Sequence, residues 1–420
     1  AGSMLNEFPF IINKVGNRIQ LIKKNVKFRI DSTKAFSKSL DNLSNSLVSS
    51  AIIKGKPNIE TGAILVDMAD LFLNDLEYLR QKSNGKFVLD KKNSFFTSVK
   101  SFPLNSEIEI LLHFITKKYK YVYTLPNSRS MMPKYHISLS KINKSNYMPR
   151  KADDRVGYFT TIYQDYSDMF NESAYERYIN RWHVEKENPK EEISPAKDPI
   201  VYWIENSVPK EFRFAVRRGV LAWNEAFKAA GISNAITVKQ MPDDAKWDPA
   251  DIRYNTIRWM IQPGSGIAVG PSRANPITGE IYDADVRVSS DWIRHFYNEY
   301  TIQMDDLLKE APILNDNSQI SDFKKCNYSF EKQNQIAFLW NYMLATNSIE
   351  GTEEQLNKFV YEGIVDLILH EVGHTLGLRH NFKASSMLSS KQLSDPELVS
   401  KYNITSSVMD YTPANIFDKG

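Results

Sequence analysis

Cysteine is almost missing from this chain: Cys326 is the only one in 420 residues, so no disulfide can form within it. Long apolar runs are missing too. No uninterrupted stretch reaches the 18 residues that a membrane-spanning helix needs, which excludes a span of that kind. An excess of one charge sign is also absent. The 53 Lys and Arg nearly balance the 50 Asp and Glu, and the formal charge of +3 is too mild to indicate a nucleic-acid partner. Lys117-Lys118-Tyr119-Lys120-Tyr121-Val122-Tyr123 does interleave bases with aromatics, but the alternation predicts a half-buried strand. No signal peptide is visible, and Ala1-Gly2-Ser3-Met4 reads as the remnant of an expression tag. What remains is ordinary globular composition, 42% hydrophobic and 25% charged, with room for two or three domains.

Histidine is scarce as well, with seven in the chain, yet three fall in one short segment. That segment is His370-Glu-Val-Gly-His374-Thr-Leu-Gly377-Leu-Arg-His380. On a helix His370 and His374 share one face, one turn apart, so both rings can reach a single metal ion. Glu371 follows the first ligand directly, beside the metal rather than on it. A continuing helix would carry His380 away from that face. Gly377 can adopt the left-handed conformation that ends a helix and swings the chain back under the metal. Three neutral nitrogens with a fourth position open to water describe a catalytic zinc site, not a closed structural one. Such a site activates water for attack on a peptide carbonyl, with Glu371 as the general base that takes the proton and passes it to the leaving amine.

The eleven residues match the metzincin zinc signature, and the chain resembles that family. Metzincins also carry a Met in a tight turn beneath the metal, and Ser407-Val408-Met409-Asp410-Tyr411 resembles that turn as found in astacin-like and serralysin-like members. The resemblance implies that Met409 is the Met-turn residue and that Tyr411 stabilises the oxyanion of the transition state. It also implies an exported zinc endopeptidase, periplasmic, cell-surface or secreted. Large bacterial zinc metalloproteases with an N-terminal domain of unknown function are the nearest likeness. The competing reading is a non-catalytic peptide- or surface-binding protein with a vestigial zinc site.

The expected fold class is α+β: a metzincin-like catalytic domain, with a twisted mixed sheet and a zinc-binding helix, preceded by a mixed, β-rich N-terminal domain. The expected boundaries are residues 1–4 for the tag remnant, 5–184 for the N-terminal domain, 185–198 for a polar linker and 199–420 for the catalytic domain. Period-two alternation predicts strands at Phe10–Val15, Arg18–Ile22 and near 107–115 and 134–140, Arg155–Tyr163 reads as another strand, and an apolar stripe predicts a helix over 62–82. His113 and His136 fall within strands, where they read as structural.

In the later part, Ile200–Ile204 predicts a first strand, 211–230 an amphipathic helix, and 236–238 and 256–261 two further strands. Residues 266–288 read as an antiparallel pair around the turn at Thr278-Gly279. By resemblance its first strand, with Gly266, Ile267, Ala268 and Val269, is the cleft rim along which an extended peptide substrate pairs. Residues 291–349 are expected to form a helical insertion, followed by a long helix over 355–376 that carries the ligands. Gly420 lies soon after Tyr411, which by resemblance implies truncation of the S1′ wall.

Overall fold

The computed structural model describes residues 7–83, 86–121, 125–142, 145–168, 170, 172–261, 268–294 and 328–416. The chain divides into two compact units, one of Gly2–Asn146 with Thr161–Arg177, the other of Tyr147–Thr160 with Tyr178–Gly420. The sequence reading placed a linker at 185–198, but the contacts gather that segment into the later unit. Ser194–Pro195 pairs in parallel with Ile232–Ser233, and Lys186 bridges to Ala196. Most of its polar side chains face outward, Ser194 being buried, while its backbone is hydrogen-bonded, so hydrophilic composition does not mark a free linker.

The first unit is built on short, mostly antiparallel sheets. Phe10–Val15 pairs with Arg18–Lys23, which pairs in turn with Ser46–Ile52. Asn105–Leu111 lies between Phe95–Ser101 and Lys134–Ser140. Ile108 and Ile110 turn inward from this central strand to join Leu21, Phe72, Leu112 and Phe114 in a core. The helix expected over 62–82 is only two short pieces, Met68–Phe72 and Leu79–Lys82. Asn74 bonds back to the carbonyl of Asp70, and the Asp75 carboxylate accepts from the amides of Leu79 and Arg80. Short polar side chains thus compete with the helical backbone bonds and end the helix. The strand expected at Lys117–Tyr123 is also absent over its described residues, 117–121, which form an exposed loop. His113 is held between Asp90 and Ser130, and His136 is bonded to the buried Glu107.

The second unit is organised by a five-stranded sheet. Its strands are β1 (Ile200–Ile204), β2 (Ile236–Gln240), β3 (Asn255–Met260), β4 (Ala268–Val269) and β5 (Val286–Ser289), in the spatial order β2-β1-β3-β5-β4. All pairings are parallel except that of the edge strand β4 with β5. The Thr278-Gly279 turn joins Ser272–Ala274 to Glu280–Ala284, so the expected hairpin exists, but β4 pairs outside it with β5. Buried Ile200, Tyr202 and Ile204 alternate on β1 and turn one face to two helices, α1 (Arg213–Leu221) and α3 (Glu353–Thr375). In chain order α2 (Tyr328–Ala345) comes between them. Of the expected insertion at 291–349, residues 295–327 lie outside the described residues.

Helix α3 has a well-defined start and a packed flank. Thr352 accepts from the Gln355 amide at 3.3 Å while the Gln355 side chain accepts from the Thr352 amide at 3.2 Å, a reciprocal capping box. Glu353 and Glu354 in the first turn suit the positive end of the helix dipole. Leu356, Val360, Ile364, Leu367, Ile368 and Val372 bury one side. Gly219 of α1 lets the two helices meet, because a Cβ there would lie 2.7 Å from the Val365 carbonyl.

Candidate metal centre

The last two turns of α3 are tied down before the chain leaves the helix. Trp223 donates to the Leu369 carbonyl at 2.8 Å and Trp182 to the Thr375 carbonyl at 2.9 Å. The Thr375 hydroxyl donates to the Val372 carbonyl and accepts from Tyr202 at 2.6 Å. Leu376 closes the helix and Gly377 follows with φ of +98°. The Gly377 amide bonds to the His374 carbonyl and the Leu378 amide to that of Gly373, each at 3.0 Å. This is the Schellman pairing of a glycine C-cap, and it turns the chain so that His380 comes back to His374.

His370, His374 and His380 each offer one ligand atom, and these atoms all lie within 4.8 Å of one another. His370 bonds through Nδ1 to the Val408 carbonyl and His374 through Nδ1 to the Leu378 carbonyl, both at 2.8 Å. A carbonyl only accepts, so each Nδ1 carries the proton and each Nε2 keeps its lone pair for a metal. The Nε2 atoms of His374 and His380 are 3.0 Å apart. Burial, reinforced by the neighbouring His374, pushes His370 down to about 2. Burial likewise lowers His374, and with His374 beside it brings His380 down to about 4. All three are therefore neutral near pH 7, as ligands must be. Three neutral nitrogens converging from a helix and its cap are a donor set that suits zinc.

Glu371 is fully buried on the same helix turn. Gly270, which follows the edge strand β4, packs directly on it: a Cβ at Gly270 would lie 2.2 Å from the Glu371 carbonyl oxygen. Met409, 2% exposed, sits under the helix, where a Cβ on Gly373 would come within 2.3 Å of its sulfur and 2.8 Å of the Trp223 ring. Gly373→Ala is thus expected to lower stability by about 1–3 kcal/mol, the cost of overfilling a packed core. A urea unfolding midpoint equal to that of the unaltered protein would contradict this packing. The turn itself is held by Asp410, whose carboxylate accepts from the Ser385 amide at 2.6 Å and from Thr405. The Tyr411 hydroxyl lies 3.1 Å from His380 Nε2.

The geometry thus gathers His370, His374, His380 and Tyr411, with Glu371 and Met409 on either side of the same helix turn. Ala268 and Val269 form the edge strand, whereas Gly266 and Ile267 lie outside the described residues. Several partners escaped sequence reasoning. Tyr328 of α2 stacks on His370 with ring centroids 3.6 Å apart and planes within 1°, and its hydroxyl donates to Asp366. Asp366 pairs with Lys332 at 3.0 Å. Phe159 places its ring 5.8 Å from that of His374. A Tyr in the first turn of an apolar helix carries no signal that it faces a metal site, and the strand pattern over 155–163 does not say that Gly157–Phe159 pairs beside His380.

Comparison with protein-family models matches residues 352–420 to the family described as Met-zincin. Residues 2–187 match a domain of unknown function, DUF5117. Neither curated proteins nor solved structures gave a match. With the histidine triad, the first match makes the C-terminal region metzincin-like and points to zinc as its metal. Among the described residues no helix is long and apolar enough to cross a membrane.

Proposed function

We propose that this chain is a zinc-dependent endopeptidase whose metal is held by His370, His374 and His380. The observation that carries this reading is the convergence of three imidazoles, two of them buried with Nδ1 committed to backbone carbonyls and Nε2 left for the metal. When bound, zinc supplies Lewis acidity toward water and the substrate carbonyl. Glu371 acts as general base, taking the proton of the attacking water and returning it to the leaving amine. Tyr411, beside His380, donates a hydrogen bond to the developing oxyanion. The substrate lies extended along β4, whose outer side is the edge of the sheet among the described residues, and backbone pairing there tolerates many sequences. Gly270 supports this assignment by joining the edge strand to the helix turn that bears Glu371.

The test is metal analysis combined with cleavage of a peptide library. One zinc per chain is expected, with internal peptide cleavage that a chelator abolishes and added zinc restores. Stoichiometric zinc without cleavage of any library member would instead support a non-catalytic peptide- or surface-binding protein.

A further inference from the structure

The segment after Gly377, which delivers the third histidine, is held in place by a strand from far upstream. Tyr158 bridges Leu378 in antiparallel fashion. The Phe159 amide donates to the Gly377 carbonyl at 2.7 Å, and the Arg379 amide donates to the Gly157 carbonyl at 3.0 Å. A second layer backs the first. The Asn180 amide donates to the Phe159 carbonyl at 2.7 Å, and a Cβ on Gly377 would lie 1.9 Å from the Asn180 carbonyl oxygen. Arg181–Trp182 then pairs in parallel with Glu280–Ile281, and Trp182 reaches across to Thr375. All of these residues belong to the same compact unit.

Between Gly377 and His380 stand only Leu378 and Arg379, and the strand bonds the Gly377 carbonyl and the Arg379 amide on either side of Leu378. No other strand pairs with them among the described residues. The position of His380 is therefore set from two ends: by the glycine cap of α3 and by pairing with Gly157–Phe159. We propose that Gly157–Phe159 is a positioning strap of the metal centre, which holds His380 within reach of the ion and raises metal affinity without touching the ion. This rests on the reading of the three histidines as a metal site. It also gives a role to the end of the stretch that matches DUF5117, since residues 157–159 and 179–182 lie inside that match.

Phe159→Pro tests the strap because it deletes the amide that bonds to Gly377 and leaves every ligand in place. Phe159→Ala keeps that amide, and the ring is already 41% exposed. The whole protein, freed of metal, is titrated with Zn²⁺ against a competing chelator, and the visible spectrum of the Co²⁺-loaded form is recorded. Phe159→Pro is expected to weaken zinc binding by about 10- to 100-fold, as the loss of a ligand's outer support does. Its Co²⁺ bands should shift toward those of a His380→Ala protein, whereas Phe159→Ala stays within about threefold of the parent. Equal affinity and spectrum in Phe159→Pro and the parent would overturn the strap. Failure of the parent itself to bind zinc would overturn the metal site, a separate outcome.

If the proline variant does not fold, hydrogen exchange on the unaltered protein decides. Linkage requires that zinc slow the exchange of the Phe159 and Arg379 amides if strap opening releases the ligand. Exchange at both amides that is indifferent to zinc would sink the proposal.

Discussion

Gly377→Ala is expected to unseat the third ligand and to weaken zinc binding by at least tenfold. Two costs combine at this position. With φ at +98°, an alanine pays about 1–2 kcal/mol for a left-handed backbone. Its Cβ would also stand 1.9 Å from the carbonyl oxygen of Asn180, and that atom is backbone, not the movable end of a side chain. Relief requires the cap or the Asn180 segment to shift, at a further cost of about 1–3 kcal/mol. Roughly 3 kcal/mol in total is a large share of the 5–15 kcal/mol that typically separates folded from unfolded chains. Urea unfolding and zinc titration measure the two effects. Gly377→Asn separates their causes, since Asn tolerates the left-handed region but carries the same Cβ. An asparagine variant with parental stability would show that the contact with Asn180 is slack.

Glu371→Ala is expected to reduce peptide cleavage by about 10³-fold while leaving one zinc per chain, because general acid–base groups contribute roughly 10² to 10⁴. It is not among the three histidines proposed to hold the metal, so metal content should not change. Since Glu371 is fully buried, the alanine leaves a void, and Glu371→Gln is the companion that keeps the volume and removes the basicity. Both should be inactive to a similar degree. Cleavage within tenfold of the parent in either variant, with zinc still bound, would remove Glu371 from its assigned role.

The parts of this centre that were legible in the sequence are those whose causes are local. The spacing of His370 and His374 follows from the helical repeat, and the return of His380 follows from what a glycine does at a C-cap. The expected helix over 355–376 corresponds to α3 at Glu353–Thr375 because its apolar stripe and its cap are written within one segment. That 155–163 contains an extended stretch was legible, but the partner of the strap was not. Gly157, Tyr158 and Phe159 use backbone amides and carbonyls that every residue possesses, so nothing in their side chains names Gly377 or Arg379 as partners. For the same reason 185–198 read as a linker: its polar surface was visible and its backbone pairing was not. The helix expected over 62–82 failed differently. Its apolar stripe was real, but Asn74 and Asp75 offered local hydrogen bonds that the stripe does not weigh.

The strap also sets the order in which the centre can come into being. Phe159 and Gly377, joined by one of its hydrogen bonds, stand 218 positions apart. Contacts so distant along the chain must pay their loop-closure entropy before they gain anything, which places them late in folding. During synthesis the strap leaves the ribosome first and waits, through the making of the sheet, for a partner that does not yet exist. The backbone bonds of helix α3 are local, and they align two of the imidazoles. The third comes into register only when the strap meets the turn at Gly377, so a site that needs all three is complete only after that long-range pairing has formed.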